Sequence, residues 1–397
     1  MAAVLERMET NVLPEAVLAA AAAAAPGNRP VWVETFSQDS NDRAEARFAD
    51  GRTLVVKRAR HAWARERFAA SRAATRLLRE AGIPAPEPLP VPKPADALPV
   101  EAYWKIELPT LADVWAGAGR VERGRLLRGW GALLRRIHAI RLPAHGALLA
   151  PHRDGLADYL RSDLCDRLLP AMVHTWPQAT AVVETLADAA EGVAARLVGT
   201  PVVLVHNDLH SANVLCDAHA RDCVGALDLE AAFAGPAEAD IAHVEVLHGP
   251  LFGKPLPDGW SDKLHRGYGQ RLDPQAIGFF RAFHLLNLGY HAAFCGHAAH
   301  AADVLAAAET EMRAFRRSRR TLRSIRISRP SSVQVCGGGT SPVHTCAIPS
   351  HRHGRPATVG SAGGAVRKAR AGAANTPENP PFGMVSGPRA GASRPAF

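Results

Sequence analysis

Alternating apolar and polar residues between positions 31 and 59 predict three antiparallel β-strands. The strand segments are PVWVETF, RAEARF and TLVVKRA, separated by the polar turn SQDSND and by the hairpin signal ADGR. Before them, the Ala-rich VLPEAVLAAAAAAAP predicts a short helix that begins near Pro14 and ends at Pro26 and Gly27. After them, RERFAASRAATRLLREAG has helical spacing and ends at Gly82. A small, sheet-rich lobe is therefore expected early in the chain.

The pattern then changes from sheet to helix. The proline-rich IPAPEPLPVPKP cannot be helical, and LPVEAYWKIEL predicts a further pair of strands. After Pro109, apolar residues recur at i, i+3 and i+4, as in ERGRLLRGWGALLRRIHAI. We therefore predict an α+β fold with two lobes and two flanking segments: an N-terminal helix at 1–29, a sheet-rich lobe at 30–108, a helical lobe at 109–316 and a tail at 317–397.

The tail differs from the rest of the chain in charge and composition. It holds thirteen Arg or Lys residues against one acid, Glu378, so its formal charge is +12. The whole chain carries +9, which leaves −3 for residues 1–316. Gly, Pro, Ser and Arg dominate it without any periodicity, which predicts disorder. One alternative is a basic arm that binds nucleic acid or an anionic membrane. Nucleic acid is not an expected partner of the rest of the chain. Another is a zinc site built from Cys336, Cys346, His351 and His353.

Cysteine usage and hydropathy bear on the compartment. Six cysteines at irregular spacing in a long chain are typical of free thiols in a reducing environment. The first residues do not resemble a secretory leader, because Glu6 and Glu9 offset Arg7, and we find no apolar run long enough for a membrane span. A cytoplasmic protein without a membrane span is expected, and the sequence leaves its oligomeric state open.

Two segments carry candidate chemistry, and each lies where an apolar run ends. LVHNDLHSANVLCD at 204–217 follows PVVLV, which predicts a buried strand, and CVGALDLEAAF at 223–233 brings a further acid. Asp208, Asn213 and Asp228 are then expected on one rim. A phosphoryl-transfer site needs such a set, because one carboxylate accepts the proton of an acceptor hydroxyl, while an amide oxygen and a second carboxylate hold Mg²⁺ on the nucleotide phosphates.

These segments resemble the aminoglycoside phosphotransferase family more closely than protein kinases. HNDLHSANVL at 206–215 is similar to that family's HGDLHxxNxL, and ALDLEAAFAGPAEADIAH at 226–243 to its IDWExAxxGPxxxDLA. The resemblance runs more weakly over residues 31–315. It implies a protein-kinase-like fold and ATP-dependent, or alternatively GTP-dependent, transfer of phosphate to a hydroxyl of a small molecule. It also implies roles for four residues: Asp208 as base, Asn213 and Asp228 as magnesium ligands, and Lys57 as partner of the α- and β-phosphates.

Several positions depart from the family pattern or are less defined by it. The loop FSQDSNDR has no glycine, so the backbone amides of Ser40 and Asn41 are expected to cover the phosphates. The helix acid that pairs with Lys57 is expected to be Glu66, although the family spacing points to Ser71. After the strand in YWKIEL, the carbonyl of Glu107 and the N–H of Leu108 are expected to contact adenine, because Pro109 has no N–H.

The acceptor is less defined than the nucleotide site. Glu230, two residues beyond Asp228, is expected to bind an acceptor that carries an amine, such as an antibiotic or an amino alcohol. Two other classes of function stay open at this point. One is a nucleotide-binding regulatory module with weak catalysis, and the other is a metal-binding or regulatory role for the segment with His284, His291 and Cys295.

Overall fold

The computed structural model describes residues 14–37, 41–60, 64–91, 98–152, 155–249, 251–252, 256–294 and 296–327. Elements up to Arg319 belong to one compact unit, and residues 320–377 are grouped in a second unit, of which only the end of the last helix is described. Three of the predictions made above lie outside the described residues. They concern Ser40, Cys295 and the tail beyond residue 327 with its zinc and nucleic-acid alternatives.

The N-lobe is a five-stranded antiparallel sheet with one helix packed on it, α1 (Pro14–Ala24). Its strands are β1 (Trp32–Ser37), β2 (Asn41–Arg47), β3 (Thr53–Ala59), β4 (Pro88–Leu89) and β5 (Val100–Trp104). They lie in the order β1-β2-β3-β5-β4. Alternate residues of β2 and β3, such as Ala44, Leu54 and Val56, form a core with Val17 and Ala20 of α1. The predicted N-terminal helix and first three strands are thus present.

The predicted strand pair within LPVEAYWKIEL is wrong. Only Val100–Trp104 forms a strand there, and its second neighbour is β4, which lies in the proline-rich segment. Proline has no backbone N–H to donate to a neighbouring strand, so it is rare inside a sheet. It is tolerated at a sheet edge, which is where Pro88 lies.

The C-lobe is mostly helical and surrounds one large apolar core that includes Trp130, Phe279 and Phe280. Its helices are α3 (Leu111–Trp115), α4 (Arg120–Ile137), α5 (Leu156–Arg161), a π-helical turn Ser162–Leu168, α6 (Leu169–Thr175), a 3₁₀ turn Pro177–Ala179, α7 (Thr180–Arg196), α8 (Ala237–Leu247), α9 (Trp260–Tyr268), α10 (Pro274–Phe294) and α11 (Ala298–Ile327). The remaining long helix, α2 (Ala64–Glu80), belongs to the N-lobe. The predicted boundary at 317 falls inside α11, because the described helix continues to Ile327.

Helices α4 and α9 approach each other closely through glycines. A β-carbon on Gly131 would overlap the carbonyl oxygen of Leu264, and one on Gly267 would overlap the carbonyl oxygen of Arg128. Each helix therefore presents a glycine to the backbone of the other, and this contact requires that neither residue carries a side chain.

Six short strands position the loops of the C-lobe. They are β6 (His145–Ala147), β7 (Ala150–His152), β8 (Val203–Val205), β9 (Val214–Cys216), β10 (Cys223–Ala226) and β11 (Phe233–Gly235). Strand β8 pairs antiparallel with β11, with Val205 opposite Phe233, and β9 pairs with β10 in a separate hairpin. The loop that leaves β8 and the loop that enters β11 therefore meet at the same end of the sheet. Both polar segments of the sequence are brought together in this way.

The linker between the lobes is hydrogen-bonded to the C-lobe hairpin. The N–H of Cys216 donates to the carbonyl of Pro109 at 2.8 Å, and the N–H of Ala112 donates to the carbonyl of Ser211 at 3.0 Å. Thr110 and Asp113 cap the start of α3 reciprocally, since each side chain accepts a hydrogen bond from the other's backbone N–H. The linker is thus fixed to the segment that carries the polar loop. Among the described helices, none combines the length and apolar character needed to cross a bilayer.

Candidate functional site

The loop after β8 is held from below by one buried carboxylate, Asp240 of α8. Its Oδ2 accepts from the backbone N–H of His206 at 2.8 Å, and its Oδ1 accepts from the N–H of Asn207 at 2.9 Å. The Nε2 of His138, the residue that follows α4, lies 3.1 Å from the same Oδ2. Burial opposes ionisation of Asp240, but the bond from His138 and the nearby imidazoles outweigh it and hold the pKa below its ordinary value. A charged carboxylate thus fixes two consecutive backbone amides.

Asn207 makes the turn that this anchoring requires. Its φ is +61°, a left-handed conformation that Asn adopts more readily than most residues. The family's HGDLHxxNxL has a glycine at this position, and the left-handed φ explains why Asn is suited to it. The side chain also takes part, because Nδ2 donates to the carbonyl of Ala231 at 3.3 Å in the neighbouring loop.

His206 connects the two loops and does not act as a metal ligand in this arrangement. Its Nε2 lies 2.9 Å from the carbonyl oxygen of Leu227, and the N–H of Asp208 donates to its Nδ1 at 3.2 Å. An N–H donor on Nδ1 would repel the backbone N–H, so the tautomer with hydrogen on Nε2 fits both contacts. Burial lowers the pKa of His206, which is consistent with a neutral ring that braces the backbone.

Asp208 and Asn213 form the next layer, and both are buried. Asn213 Nδ2 donates to the backbone carbonyl of Asp208 at 2.8 Å, which leaves its amide oxygen as the atom for a cation. One carboxylate oxygen of Asp208, Oδ1, is buried and has no hydrogen-bond partner among the described residues. Burial raises the pKa of Asp208 well above its ordinary value, and the charges of Asp228 and Glu230 add to this. An orphaned buried carboxylate oxygen of this kind needs a proton donor or a cation.

Asp228 lies on the loop between β10 and β11, in a left-handed conformation with φ of +59°. Its Oδ1 accepts from the ammonium of Lys57 at 3.0 Å, so β3 of the N-lobe reaches the metal loop of the C-lobe, residues 227–232. Burial opposes ionisation of Asp228, but the Lys57 charge outweighs it and keeps the pKa below its ordinary value. The pKa values of the two nearby carboxyl groups of Asp208 and Asp228 are therefore shifted in opposite directions. Such a pattern separates a group suited to proton transfer from one that stays charged.

These residues fit a magnesium site by the chemistry of their donors. Asn213 and Asp228 offer an amide and a carboxylate oxygen, the ligand types that Mg²⁺ prefers, and the bound phosphates and water would supply the others. Among the residues that the structure describes, no group of three or more His, Cys, Asp or Glu side chains is arranged to hold a metal ion. A site completed by the nucleotide is therefore more consistent with these residues than a cage made by protein alone.

Glu230 does not face an acceptor, as the sequence suggested. Its Oε1 accepts from Lys57 Nζ at 2.8 Å, and its Oε2 accepts from Asn41 Nδ2 at 2.9 Å. Both carboxylate oxygens are thus used by N-lobe donors, and the residue is only 7% exposed. The strand that was to carry Glu230 to the rim ends at Ala226, and the turn after it directs the side chain to Lys57. Asn41 begins β2, opposite Ala59, and enters the site through its side chain.

The expected pairing of Glu66 with Lys57 is also wrong. Glu66 is exposed on α2, and the polar residues that this helix buries are Arg67, Ser71 and Thr75. Ser71 Oγ lies 3.5 Å from Oε2 of Glu101, which stands opposite Lys57 in the β3–β5 register. Helical periodicity explains the error, because Glu66 lies one residue before the inward-facing Arg67 and so points about 100° away from it.

Other functional candidates escaped the sequence reasoning. Asp240 and His138 are distant in sequence and carry no motif that describes their joint contact. Arg67 brings a buried cation near Glu230 and Asp208, and burial lowers its pKa to about 10. Asp240 matches the aspartate of DLA in the family pattern IDWExAxxGPxxxDLA, and that match is a signal that could have found it.

The proposed adenine contacts stay predictions. Strand β5 ends at Trp104, and Glu107 and Leu108 lie in the linker that follows, with Glu107 exposed. His284 has an assigned structural contact: its Nε2 lies 2.9 Å from the carbonyl of Ala239, and its ring stacks near that of His243. That contact favours a packing role for His284 over metal binding.

Asn207 also lines a small cavity of about 50 Å³. Its walls are mainly apolar, with Tyr159, Phe233 and Phe280, and Asp163 and Arg167 form an ion pair in it at 2.5 Å. Asn207 Oδ1 and His243 Nδ1, from residues that line it, are buried without a hydrogen-bond partner in the described part of the chain. The volume holds a few water-sized groups at most, so it cannot contain a whole antibiotic.

Together, the two lobes and the two loops at their junction define a protein-kinase-like fold. The sequence signature of the phosphotransferase enzyme family (APH) matches residues 32–283, and the chain belongs to this family. The predicted two-lobed, kinase-like α+β fold and the resemblance drawn from the two motifs are confirmed. A search of curated protein sequences gave no significant match.

Solved structures show the same fold at low sequence identity. A thermostable mutant of aminoglycoside phosphotransferase APH(4)-Ia in the apo form is 17% identical, with a TM-score of 0.55 over 71% of this chain and 94% of that one. A variant of it in a ternary complex with ADP and hygromycin B is 16% identical, with a TM-score of 0.54 over 72% and 94%. The GDP and kanamycin complex of APH(2")-IIia is 12% identical, with a TM-score of 0.52 over 74% and 97%.

Proposed function

We propose that the protein transfers the γ-phosphate of a nucleoside triphosphate, ATP or alternatively GTP, to a hydroxyl of a small molecule. The observation that carries this proposal is the convergence of Lys57, Asp208, Asn213 and Asp228 from three separate segments. The family membership supports it, and two of the similar structures hold ADP or GDP. A compartment that supplies nucleotide triphosphate and keeps thiols reduced, the cytoplasm, fits this activity.

Each residue has a separate task in the proposed reaction. Lys57 binds the α- and β-phosphates, and Asn213 and Asp228 hold Mg²⁺, which would neutralise charge on the β- and γ-phosphates. Asp208 orients the acceptor hydroxyl and takes its proton as the acceptor oxygen bonds to the γ-phosphorus and the bond to the bridging oxygen of the leaving diphosphate breaks. The unpartnered Oδ1 of Asp208 supports this role, because it is available to the hydroxyl.

The acceptor is proposed as a small molecule with a free hydroxyl. Preference for an amine loses its first support, since Glu230 is occupied by Lys57 and Asn41. Amine antibiotics and amino alcohols therefore belong in the test beside neutral hydroxyl compounds. A coupled assay of ADP or GDP release over such a panel identifies the acceptor, and a role in antibiotic resistance would follow only from turnover of an antibiotic.

A magnesium titration tests the roles of the two aspartates. Asp228→Asn keeps the shape of the side chain but removes a charged metal ligand, so its requirement for free Mg²⁺ should rise roughly tenfold or more. Asp208→Asn should lose roughly 10²–10⁴-fold in kcat, with an unchanged requirement for Mg²⁺ and nucleotide affinity within a few-fold.

Two outcomes would contradict the proposal. If both variants, or neither, shift their magnesium dependence, the assignment of base and ligand is wrong. If the wild-type protein binds MgATP or MgGTP but none of the tested acceptors causes release of nucleoside diphosphate, a binding module with weak catalysis explains the fold better.

A further inference from the structure

Helix α2 cannot supply the anion that positions Lys57. Its acids are Glu66, near the start, and Glu80, the last residue, and both are exposed. The polar groups that the helix directs inward are a cation, a hydroxyl and another hydroxyl, on Arg67, Ser71 and Thr75. A buried ammonium nevertheless needs a fixed anionic partner, because its desolvation is costly and its four-carbon stem is flexible.

The C-lobe supplies that partner twice. Lys57 Nζ lies 3.0 Å from Asp228 and 2.8 Å from Glu230, and both acids lie on the metal loop. The two acids differ in what else they must do. Asp228 is the proposed metal ligand, so its charge is shared with a cation when nucleotide binds. Glu230 is bonded on both oxygens to N-lobe donors and is free of that second task.

A third acid, Glu101, is a weaker rival. It lies opposite Lys57 in the strand register, but its Oε2 is near Ser71 Oγ and its Oε1 is 3.9 Å from Arg72. Burial raises the pKa of Glu101 to about 7, although Lys57 works against this. It makes no direct ion pair with Lys57 among the described contacts, in contrast to Glu230.

We propose that Glu230 is the positioning residue for Lys57: it holds the ammonium in place for the α- and β-phosphates, as an acid on α2 would do if the helix had one facing inward. Asn41 completes the arrangement by fixing the second oxygen of Glu230 from the start of β2. Lys57, Glu230 and the first residue of β2 then form one connected unit. This inference rests on the proposed function and names a residue whose role neither the family match nor the similar structures assign.

The test is Glu230→Gln, which keeps the size of the side chain and removes its charge. The KM for MgATP should rise roughly ten- to hundredfold, the loss expected for a charge-assisted hydrogen bond. Calorimetric affinity for MgADP should fall by a similar factor, whereas affinity for adenosine should not change, because Lys57 contacts only phosphates. The requirement for free Mg²⁺ should stay as in wild type, in contrast to Asp228→Asn.

Two further variants show whether Glu230 acts through Lys57. The KM for MgATP of the double variant Lys57→Met with Glu230→Gln should be no higher than that of Lys57→Met alone. In the double variant, the ammonium that Glu230 would position is already missing. Glu66→Gln, on the exposed side of α2, should behave as wild type. If Glu230→Gln does not fold, Glu230→Asp keeps the charge on a shorter side chain and should give a smaller rise in the KM for MgATP. Its affinity should again fall for MgADP and stay unchanged for adenosine.

The inference is overturned if Glu230→Gln, or Glu230→Asp in its place, leaves the KM for MgATP within twofold of wild type. It is also overturned if affinity for adenosine falls as much as for MgADP, if the two effects multiply in the double variant, or if Glu66→Gln reproduces the defect. Failure of the proposed function looks different, because the wild-type protein itself would then fail to bind or use MgATP and MgGTP.

Discussion

At the scale of single residues, the site depends on which buried groups are charged and what faces them. Asp240 illustrates this, because one carboxylate accepts from two loop amides and faces a histidine ring. An aspartate can do this because it is an acceptor on both oxygens. An asparagine has only one acceptor oxygen, so at least one of the two backbone N–H groups would face an N–H donor inside the protein.

Asp240→Asn should therefore destabilise the fold by about 2–4 kcal/mol, the range for breaking a buried charged contact. It should also lower kcat at least tenfold, because displacement of the loop moves Asp208 relative to the acceptor. Urea unfolding and steady-state kinetics measure the two effects, with Asp258→Asn on an exposed loop as the matched control. Normal kcat in a clearly destabilised Asp240→Asn would separate the anchor from the chemistry.

The sequence was informative about residues where spacing carries the chemistry and uninformative where contacts are long-range. Asp208, Asn213 and Asp228 could be identified because a fixed local spacing brings them to one rim. The partner of Lys57 could not, because Glu230 is 173 positions away in sequence and its direction depends on a turn after β10. Residue-level reasoning therefore predicted which side chains lie near one another at the loops, where their roles stay predictions, and it missed a contact between the lobes.

At the scale of elements, close backbone contacts constrain the helices more strictly than apolar periodicity does. The crossing of α4 and α9 has a glycine on each side, and a β-carbon on either would meet carbonyl or amide atoms of the other helix. Hydrophobic spacing predicted α4 as a helix. It gave no indication that Gly131 lies at a helix crossing, since glycine within a helix is otherwise only unfavourable for conformational entropy.

Two glycine substitutions test this contact against a matched control. Gly131→Ala should cost about 1–3 kcal/mol or more, because the backbone of α9 must move to admit the methyl group. Gly278→Ala on α10 has no atom within 4 Å of the new β-carbon and should be neutral or stabilising by up to about 1 kcal/mol. Thermal and urea unfolding of both variants are the measurements. Equal stability changes in the two would show that helix propensity alone, and not the crossing, decides the outcome.

Strand prediction failed at the element scale for a related reason. LPVEAYWKIEL has enough apolar and β-branched residues for two strands, but it forms one, β5. That strand pairs with β3 on one side and with β4 on the other. The second neighbour comes from the proline-rich segment, for which the sequence excluded a helix but predicted no strand. Pairing partners of an edge strand depend on the tertiary arrangement, which local propensity does not contain.

At the scale of the whole molecule, buried neutral histidines make stability depend on pH. His284 is buried against the carbonyl of Ala239, and burial lowers its pKa from 6.5 to about 4. His248 is lowered to about 4 by the same cause, with a smaller effect of His210. In the unfolded chain both rings regain a pKa near 6.5, so unfolding takes up protons between about pH 4 and 6.5. Stability is then fully present above pH 6.5 and falls as the pH decreases through this window.

We expect the free energy of unfolding to decrease between pH 7 and pH 5, and His284→Gln to decrease by about 1–2 kcal/mol less over the same range. Glutamine can still donate to the Ala239 carbonyl but does not titrate. Urea unfolding curves at several pH values measure the difference. Parallel pH dependence in the two proteins would mean that His284 is not the neutral buried base inferred from its contacts.

The hydrogen bonds between the linker and the C-lobe hairpin divide the molecule differently from its two lobes. The backbone N–H groups of Cys216, Ala112 and Leu227 donate to the carbonyls of Pro109, Ser211 and Asn213, so the linker, the polar loop and the metal loop form one hydrogen-bonded unit. The N-lobe joins these loops through the side chains of Lys57 and Asn41, which pair with Asp228 and Glu230 in this structure. We expect nucleotide binding to show two kinetic phases: a rapid, concentration-dependent association, followed by a slower step that does not depend on concentration, in which the Lys57 ammonium exchanges its bond to Asp228 for one to the phosphates.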